Sequence, residues 1–335
     1  MFLRITKTAL VLAHVLILSL AGWLLFESRG ARAAKTQPVL FDVEKGKGVR
    51  AIAEALKFKG IIRKQWPFVL QYEFFFFPQS LKAGEYEFRP FLSSQEILED
   101  LIRGKIHLYA ITIAEGLTAR ESADVFLAAG FGTAGEFIKA FREPEMILAW
   151  DAKARNLEGY LFPETYSLPK GLPAKEIFGK MVSQFKTLFD ESWRRRAEEL
   201  RMSVRDVVTL ASLIEKETSL PEEKKLVSAV FHNRLGRGMK LDCDPTIIYA
   251  LKEKGPFDGR LHTKDLKLDN PYNTYLYPGL PPGPICNPGR ESLRAALFPA
   301  SDDYFYFVSR NDGSHIFSRT LKEHRAAVRK YQRPY

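Results

Sequence analysis

The sequence predicts an α+β protein that begins with a single N-terminal transmembrane helix. Three observations support this class. Residues 9–26 form an apolar run without a formal charge, long enough to cross a bilayer as a helix. The chain has 335 residues, of which 46% are hydrophobic, so it has room for two domains with cores. After the apolar run, helical and strand-like patterns alternate irregularly, unlike the strict β–α order of a doubly wound sheet.

The apolar run 9–26 has two interpretations. Ala31, Arg32 and Ala33 offer an A-x-A-like cleavage site, as in a secretory signal peptide. This site lies beyond the end of the run and is crowded by Arg29 and Arg32, which favours an uncleaved anchor. Basic residues flank the run on both sides, so the positive-inside rule does not orient it.

A polar linker of small residues, 27–38, leads into a compact unit at 39–108. In this unit a strand and turn precede a helix, and AGEYEF (Ala83–Phe88) alternates as a second strand. A second helix is expected to begin after Ser94, its predicted cap, and to end at Gly104. A unit of this length has the size of a small binding module.

The remaining residues, 109–335, begin with another strand–turn–helix pattern and continue as mostly helical sequence. Lys175–Leu200 and Pro221–Leu235 have helical periodicity. After Gly238 a composition rich in proline, glycine and tyrosine predicts loops, which include DPTIIYAL (Asp244–Leu251). The chain closes with a helix, a strand, an NDGSH turn and a last helix.

The composition excludes several classes of function. A net charge of +10 suggests a polyanionic environment, such as nucleic acid, anionic lipid or an acidic wall polymer. The sequence has no run of five basic residues and no nucleic-acid-binding motif, so we expect no nucleic-acid partner. Its six histidines and two cysteines lack metal-ligand spacing, and it has neither a phosphate-binding glycine loop nor a GxSxG motif. We therefore expect no metal and no cofactor.

One helix, predicted at Ser203–Thr218, ends in two closely spaced carboxylates. Ser203 and Asp206 form a capping-box-like start, and apolar residues recur along one stripe. At about 100° per residue, Glu215 and Glu217 lie on opposite flanks of that stripe. Burial and the negative end of the helix dipole both disfavour ionisation there, as a general acid requires. Two solvated surface glutamates would give the same pattern.

Two aromatic segments could bind a sugar. The first, LEGYLFPETY, contains Glu158, Tyr160 and Glu164, and the second, PYNTY, contains Asn273 and Tyr275. Aromatic rings can stack on the apolar faces of sugars, while amide and phenol groups bind the sugar hydroxyls. Packing and turn structure is the competing interpretation of each segment alone.

Five blocks of this sequence resemble the YceG-like family of membrane-bound endolytic murein transglycosylases, in the same order and spacing. They are ASLIEKET (Ala211–Thr218), LEGYLFPETY, DPTIIYAL, YNTYLYPGLPPGPICNPG and ESLRAALFPASDDYFYFV. The resemblance covers nearly everything after the apolar run. It departs at Glu164, where the family commonly has aspartate.

The resemblance implies a place in the cell envelope. It implies a single-pass inner-membrane anchor at 9–26, with residues 1–8 in the cytoplasm. It also implies a small LysM-like wall-binding module at 39–108, and a periplasmic catalytic domain at 109–335 with a lysozyme-like active-site helix. The implied partners are peptidoglycan glycan strands, the membrane through residues 9–26, and complexes of wall synthesis.

The implied reaction cleaves the β-1,4 bond between N-acetylmuramic acid and N-acetylglucosamine within glycan strands. It leaves 1,6-anhydro ends and would terminate the elongation of nascent strands. Lysozyme-like lytic transglycosylases place the catalytic glutamate before a small hydroxyl residue, a pattern matched by Glu217 with Thr218. Glu215, followed by Lys216, is the second choice. The expected substrate contacts are Asn273, Tyr275, Tyr160, Glu164 and Thr218.

Two alternatives stay open at this stage. A muramidase-type hydrolase would cleave the same bond but would require a second carboxylate, and none is obvious in the sequence. A non-enzymatic wall-binding scaffold of the elongation or division machinery would use these carboxylates only for structure.

Overall fold

The structure, a computed structural model, describes residues 9–16, 18–19, 22–23 and 37–332. It confirms the α+β class. The chain divides into two compact units, one of Met1–Tyr109 with Ser167–Lys170 and one of Ala110–Tyr166 with Gly171–Tyr335.

The N-terminal predictions lie partly or wholly outside the described residues. This holds for the cytoplasmic segment 1–8, for residues 27–36 of the linker and for parts of the anchor 9–26. Residues 9–16 are helical. Within the described ranges, no helix combines the length and the hydropathy needed to cross a membrane.

The first unit packs helices against a two-stranded antiparallel sheet, in which Val39 faces Phe88. Its elements are β1 (Val39–Val43), α1 (Val49–Phe58), α2 (Gln65–Gln71), β2 (Gly84–Phe88) and α3 (Ser94–Arg103). A π-helical turn, Tyr72–Phe76, continues α2. The core forms because apolar residues at helical spacing in α1 and α3 meet the inward-facing residues of both strands.

The cap of α3 differs by one residue from the prediction. Ser93, not Ser94, caps the helix, because its hydroxyl accepts the Glu96 N–H while the Glu96 carboxylate accepts the Ser93 N–H at 2.7 Å. Ser94 is the first helical residue and is buried. Gly104 ends the helix in the left-handed conformation (φ 70°), as predicted.

From residue 108 onward the chain is mostly helical, and short strands pair in two further two-stranded sheets. The elements are β3 (Leu108–Thr112), α4 (Ala119–Ala128), α5 (Ala134–Phe141), β4 (Thr165–Pro169), α6 (Ala174–Leu188), α7 (Glu191–Glu199), α8 (Val204–Glu217), α9 (Pro221–Gly236), α10 (Asp244–Lys254), α11 (Arg290–Leu297), β5 (Tyr306–Ser309), β6 (His315–Ser318) and α12 (Leu321–Tyr331). β5 and β6 pair antiparallel, with Ser309 opposite His315.

Two predictions in this region were wrong in detail. DPTIIYAL is not a loop but the start of α10, where Pro245 stands in the first turn, a position at which a missing N–H costs nothing. The helical stretch Lys175–Leu200 is divided in two, because Asp190 leaves the helical conformation and caps α7 by accepting the N–H groups of Ser192 and Trp193.

Helix α8 lies at the centre of the second unit and packs against α7, α9, α10 and α11. The predicted capping box of Ser203 and Asp206 is confirmed. Every residue from Val207 to Ile214 is buried, including Thr209 and Ser212. This middle part of the helix is therefore enclosed on all sides, beyond the single apolar stripe visible in the sequence.

Candidate active site

Glu217 is the last residue of α8, and its carboxyl group is the most unusual titratable group at this helix end. Burial raises its pKa to about 7, and the negative charge of Asp244 acts in the same direction. A hydrogen bond from Cys243 and the charges of His315 and Arg234 oppose this rise. The residue as a whole is only partly buried, and the protein atoms near its carboxyl group desolvate that group.

Cys243 holds its thiol beside the Glu217 carboxyl because its backbone is fixed on both sides. Its N–H donates to Thr274 Oγ1 at 3.0 Å, and Thr246 Oγ1 donates to its carbonyl oxygen at 2.6 Å. Burial, followed by the Glu217 charge, raises the pKa of the Cys243 thiol well above its usual range. The thiol therefore keeps its proton and acts as a hydrogen-bond donor to Glu217. Neither Cys243 nor Cys286 forms a disulfide.

Asp244 brings a second carboxylate close enough to Glu217 to raise the pKa of that group. The Tyr275 hydroxyl donates to Asp244 Oδ1 at 2.6 Å. Burial, followed by this hydrogen bond, raises the pKa of Tyr275. Tyr275 thus belongs to the group of residues around Glu217, because it is hydrogen-bonded to Asp244. Asp244 is therefore a second carboxylate near Glu217, one that was not obvious in the sequence.

On α9, the Glu223 carboxylate links the residue after Glu217 to β6. Its Oε2 accepts the Thr218 hydroxyl at 3.3 Å and the His315 Nδ1 proton at 2.6 Å, while Oε1 accepts the His315 N–H at 2.8 Å. Thr218 is itself buried and accepts the Leu220 N–H at 3.1 Å. These bonds fix the chain where α8 ends and hold the His315 ring close to Glu217. Thr218 therefore stabilises the chain directly after Glu217 through its hydrogen bonds to Glu223 and Leu220.

Glu215, the second choice for the acid, has both carboxylate oxygens occupied. Oε1 pairs with Lys224 Nζ at 3.0 Å, and Oε2 accepts the Gly289 N–H at 2.9 Å. The Glu215 and Lys224 side chains are 7% and 5% exposed, so the pair is removed from water. The arrangement connects α8 to α9 and to the start of α11. It gives Glu215 a structural role and favours Glu217 as the acid.

Asn273 is fully buried and shapes the loop that carries Tyr275. Its Nδ2 donates to the carbonyl oxygens of Leu266 at 3.1 Å and Leu268 at 2.8 Å, and its Oδ1 accepts the Tyr275 N–H at 3.0 Å. All its principal hydrogen-bonding groups are therefore used within the loop. Asn273 therefore positions Tyr275 from within the loop.

Tyr160 and Glu164 do not belong to the group around the Glu217 carboxyl. Tyr160 is 1% exposed, its hydroxyl donates to Asp151 Oδ2 at 2.6 Å, and its ring packs edge-on against Phe185. This side chain is part of the core. Glu164 is exposed, and its carbonyl oxygen accepts the Ile113 N–H at 3.0 Å in the turn before β4.

Glu158 is a second carboxyl group with a raised pKa, but it lies inside the fold. It is 4% exposed, and burial raises its pKa to about 8. Its Oε1 accepts the Ala119 N–H at 2.9 Å at the start of α4. The Tyr249 hydroxyl donates a second hydrogen bond to the Glu158 carboxyl group. These contacts connect the LEGYLF segment to α4 and α10.

Glu158→Gln is expected to flatten the pH dependence of stability. The native pKa of about 8 exceeds the ordinary 4.5, so the native state keeps a proton that the unfolded chain releases. The wild-type free energy of unfolding should therefore fall by roughly 1.4 kcal/mol per pH unit between these two values on account of this group alone. Urea denaturation at pH 5 and pH 8 measures the difference. Exposed Glu164→Gln is the control, and a Glu158→Gln variant with the wild-type slope would contradict the assignment.

Sequence reasoning missed Cys243, Asp244, Glu223, His315 and Arg234 as parts of the site. Two signals were present, because DPTIIYAL begins at Asp244 and the NDGSH turn ends at His315. The sequence does not show that either segment lies near Glu217, because it does not show which elements pack together. Among the described residues, no cluster of His, Cys, Asp and Glu has the geometry of a metal site.

The sequence is similar to proteins named endolytic murein transglycosylase. The protein of that name from Bacillus subtilis (strain 168) is 32% identical over 311 residues, which are 88% of this chain and 84% of the relative. The protein of that name from Streptococcus pneumoniae (strain D39) is 27% identical over 318 residues. These cover 85% of this chain but only 57% of the longer pneumococcal protein.

A solved structure and a family profile indicate a relationship to the YceG-like family. The fold is similar to the crystal structure of a YceG-like protein from Listeria monocytogenes, with a TM-score of 0.59 and 33% sequence identity. The match covers 87% of this chain and 99% of the Listeria chain. The profile of the YceG-like family matches residues 41–330, which include every residue around Glu217 named above. The chain therefore belongs to the YceG-like family.

Proposed function

We propose that this protein is a lytic transglycosylase that cleaves murein glycan strands internally, at the β-1,4 bond between N-acetylmuramic acid and N-acetylglucosamine. The observation that carries this proposal is Glu217, a carboxyl group at a helix end with a pKa of about 7. The substrate class comes from relatives at 32% and 27% identity that are named endolytic murein transglycosylases.

The first step needs a proton donor for the glycosidic oxygen. With a pKa of about 7, Glu217 is about half protonated at neutral pH, whereas a carboxyl of pKa 4.5 would be protonated in about one molecule in three hundred. The proton passes from Glu217 to the leaving oxygen as the bond breaks. Positive charge then develops on the muramic ring, in an oxocarbenium-like transition state.

The second step needs a base at the same position. Glu217 is now ionised and is stabilised by the Cys243 thiol proton and by the charges of His315 and Arg234. It takes the proton from the 6-hydroxyl of the muramic residue, whose oxygen bonds to C1. A 1,6-anhydro ring closes, Glu217 is protonated again, and no water is consumed.

Asp244 gives the hydrolase alternative a specific basis, because a hydrolase needs a second carboxylate. One Asp244 oxygen accepts the Tyr275 hydroxyl, so this carboxylate is held in a fixed orientation. Product analysis decides between the reactions. Purified murein is digested in water labelled with heavy oxygen, and the fragments are resolved by mass. We expect anhydro ends without the label, whereas labelled reducing ends would establish hydrolysis.

Variants at Cys243 and Asp244 are expected to move the pH profile in opposite directions. Cys243→Ala removes a donor that lowers the Glu217 pKa, and Asp244→Asn removes a charge that raises it. Activity requires protonated Glu217, so the alkaline fall in kcat/KM should move to higher pH in the first variant and to lower pH in the second. Murein solubilisation between pH 5 and pH 9 measures this.

The two variants serve as controls for each other, since both change a neighbour of Glu217 without changing Glu217 itself. Equal profiles would contradict the role assigned to these neighbours. A loss of activity at every pH in Asp244→Asn alone would instead make Asp244 the second carboxylate of a hydrolase.

We also propose a place for the protein in the envelope. Residues 9–26 anchor it in the inner membrane, with residues 1–8 in the cytoplasm and residues 109–335 in the periplasm. The apolar run supports the anchor, and the β1–α1–α2–β2 order of residues 39–108 supports a LysM-like wall-binding module. An anchored enzyme that cuts nascent glycan strands would terminate their elongation within wall-synthesis complexes. Cleavage of the C-terminal region by protease added to spheroplasts, but not to intact cells, tests this topology.

A further inference from the structure

A group of exposed phenylalanines follows α2 in the first unit. Phe74, Phe75 and Phe77, here called the aromatic turn, are 73%, 72% and 66% exposed. Their neighbour Phe76 packs against the core of the unit. Single exposed apolar side chains are common on protein surfaces, but three exposed rings within four residues are typical of a segment that binds a partner or a membrane.

The aromatic turn is held in place by the residues around it. The Tyr72 hydroxyl donates to the Gln79 carbonyl oxygen at 2.7 Å, and the Phe77 N–H donates to the Tyr72 carbonyl oxygen at 2.9 Å. The Tyr72 ring also meets the Phe77 ring edge-on, with centroids 6.4 Å apart. The fold therefore fixes the backbone of this turn at Tyr72 and Phe77, while the three rings stay exposed.

A pair of tryptophans connects the same helix to the N-terminal apolar run. Trp23, near the end of that run, stacks on Trp66 in the first turn of α2, with ring centroids 4.8 Å apart. Tryptophan is enriched where a membrane-spanning helix leaves the hydrocarbon. If residues 9–26 cross the bilayer, this stack places α2 at the bilayer surface, and the aromatic turn directly continues α2.

One segment of the first unit has a charge suited to the same surface. Residues 45–64 contain seven lysines and arginines and one acidic residue, Glu54. Within this segment Phe58 is 92% exposed and lies between Lys57 and Lys59. Aromatic rings enter the boundary between headgroups and acyl chains, while lysine and arginine attract anionic headgroups.

We propose that the aromatic turn inserts into the bilayer surface at the end of the anchor and holds the first unit against the membrane. The partner of the aromatic turn is a lipid surface, because the stack of Trp23 on Trp66 and the basic segment 45–64 both favour one. The proposal rests on the proposed anchor at 9–26 and is independent of the chemistry at Glu217.

Photolabelling from within the bilayer tests the proposal on the full chain. The protein is reconstituted in nanodiscs of anionic phospholipid that carries a photoactivatable diazirine on its acyl chain, and adducts are mapped by mass spectrometry. We expect adducts on residues 72–78 in addition to residues 9–26. Leu276 and Tyr277, which are 38% and 46% exposed in the second unit, should remain unlabelled.

A triple variant, Phe74→Ser with Phe75→Ser and Phe77→Ser, provides the matched comparison. Adducts on 72–78 should fall at least ten-fold, while adducts on 9–26 and murein cleavage in detergent stay unchanged. Adducts confined to 9–26 in the wild type would overturn the proposal. Adducts on 72–78 that form in native membranes but not in lipid nanodiscs would also overturn it, in favour of a membrane protein partner. Loss of labelling at 9–26 would refute the anchor itself, without bearing on cleavage by Glu217.

Discussion

Glu217→Gln is expected to lower murein cleavage by about a thousand-fold, within the range that a positioned general acid contributes. Glutamine has nearly the same shape but can neither donate the proton to the glycosidic oxygen nor accept one from the 6-hydroxyl. The measurement is the initial rate of release of soluble fragments from purified murein. Glu222→Gln, an exposed glutamate at the start of α9, is the control and should cleave normally.

The same variant should be at least as stable as the wild type. The native pKa of about 7 exceeds the ordinary 4.5, so the native state keeps its proton where the unfolded chain loses it. The stability from this group is complete below pH 4.5 and is lost as the pH rises through 7. Because glutamine does not ionise, Glu217→Gln should gain up to about 3 kcal/mol over the wild type at pH 8. Urea denaturation at pH 5 and pH 8 measures this gain.

Separate outcomes of these two measurements have separate meanings. Normal cleavage by Glu217→Gln would remove Glu217 as the acid and turn attention to Glu215. Normal cleavage by variants of both residues would leave the scaffold as the better description of this chain. Lost cleavage with lower stability at every pH would show that the substitution damaged the fold.

Lys224→Met is expected to destabilise the protein by about 3–5 kcal/mol, the usual cost of removing one partner of a buried ion pair. Lys224 Nζ lies 3.0 Å from Glu215 Oε1, and both side chains are almost fully enclosed. Methionine fills similar space but leaves the Glu215 carboxylate buried without its cation. Urea denaturation at pH 7 gives the change in the free energy of unfolding.

The double variant Glu215→Gln with Lys224→Met is the control for this effect. It removes both charges, so it should recover most of the stability lost in Lys224→Met. A single variant within 1 kcal/mol of the wild type would contradict the structural role assigned to the Glu215–Lys224 pair.

Much of the fold around the site was predictable because its causes are local. The capping box of α8 joins Ser203 and Asp206, three residues apart, and its apolar residues recur within single turns. Such signals survive in the sequence whatever the rest of the chain does. Where they misled, at Ser94 and at Asp190, a competing local cap decided the helix boundary.

The environment of each candidate side chain was not predictable, because it depends on which segments meet. Asn273, Tyr160 and Tyr275 are all residue types that bind sugars. Yet the amide group of Asn273 makes its hydrogen bonds within its own loop, and Tyr160 lies in the core. Of the three, Tyr275 alone contacts the residues around Glu217, through its hydrogen bond to Asp244. Sequence carries the chemistry of a side chain but not its exposure.

The sequence by itself determined that helix α8 ends in two carboxylates, and that only Glu217 precedes a small hydroxyl residue. Tertiary structure decided how these carboxylates differ. Glu215 is paired with Lys224, nine residues further along the chain, and Glu217 lies beside Cys243 and Asp244 from the start of α10. The reason is physical: a pKa is set by desolvation and by neighbouring charges, and both arise only when distant segments pack together.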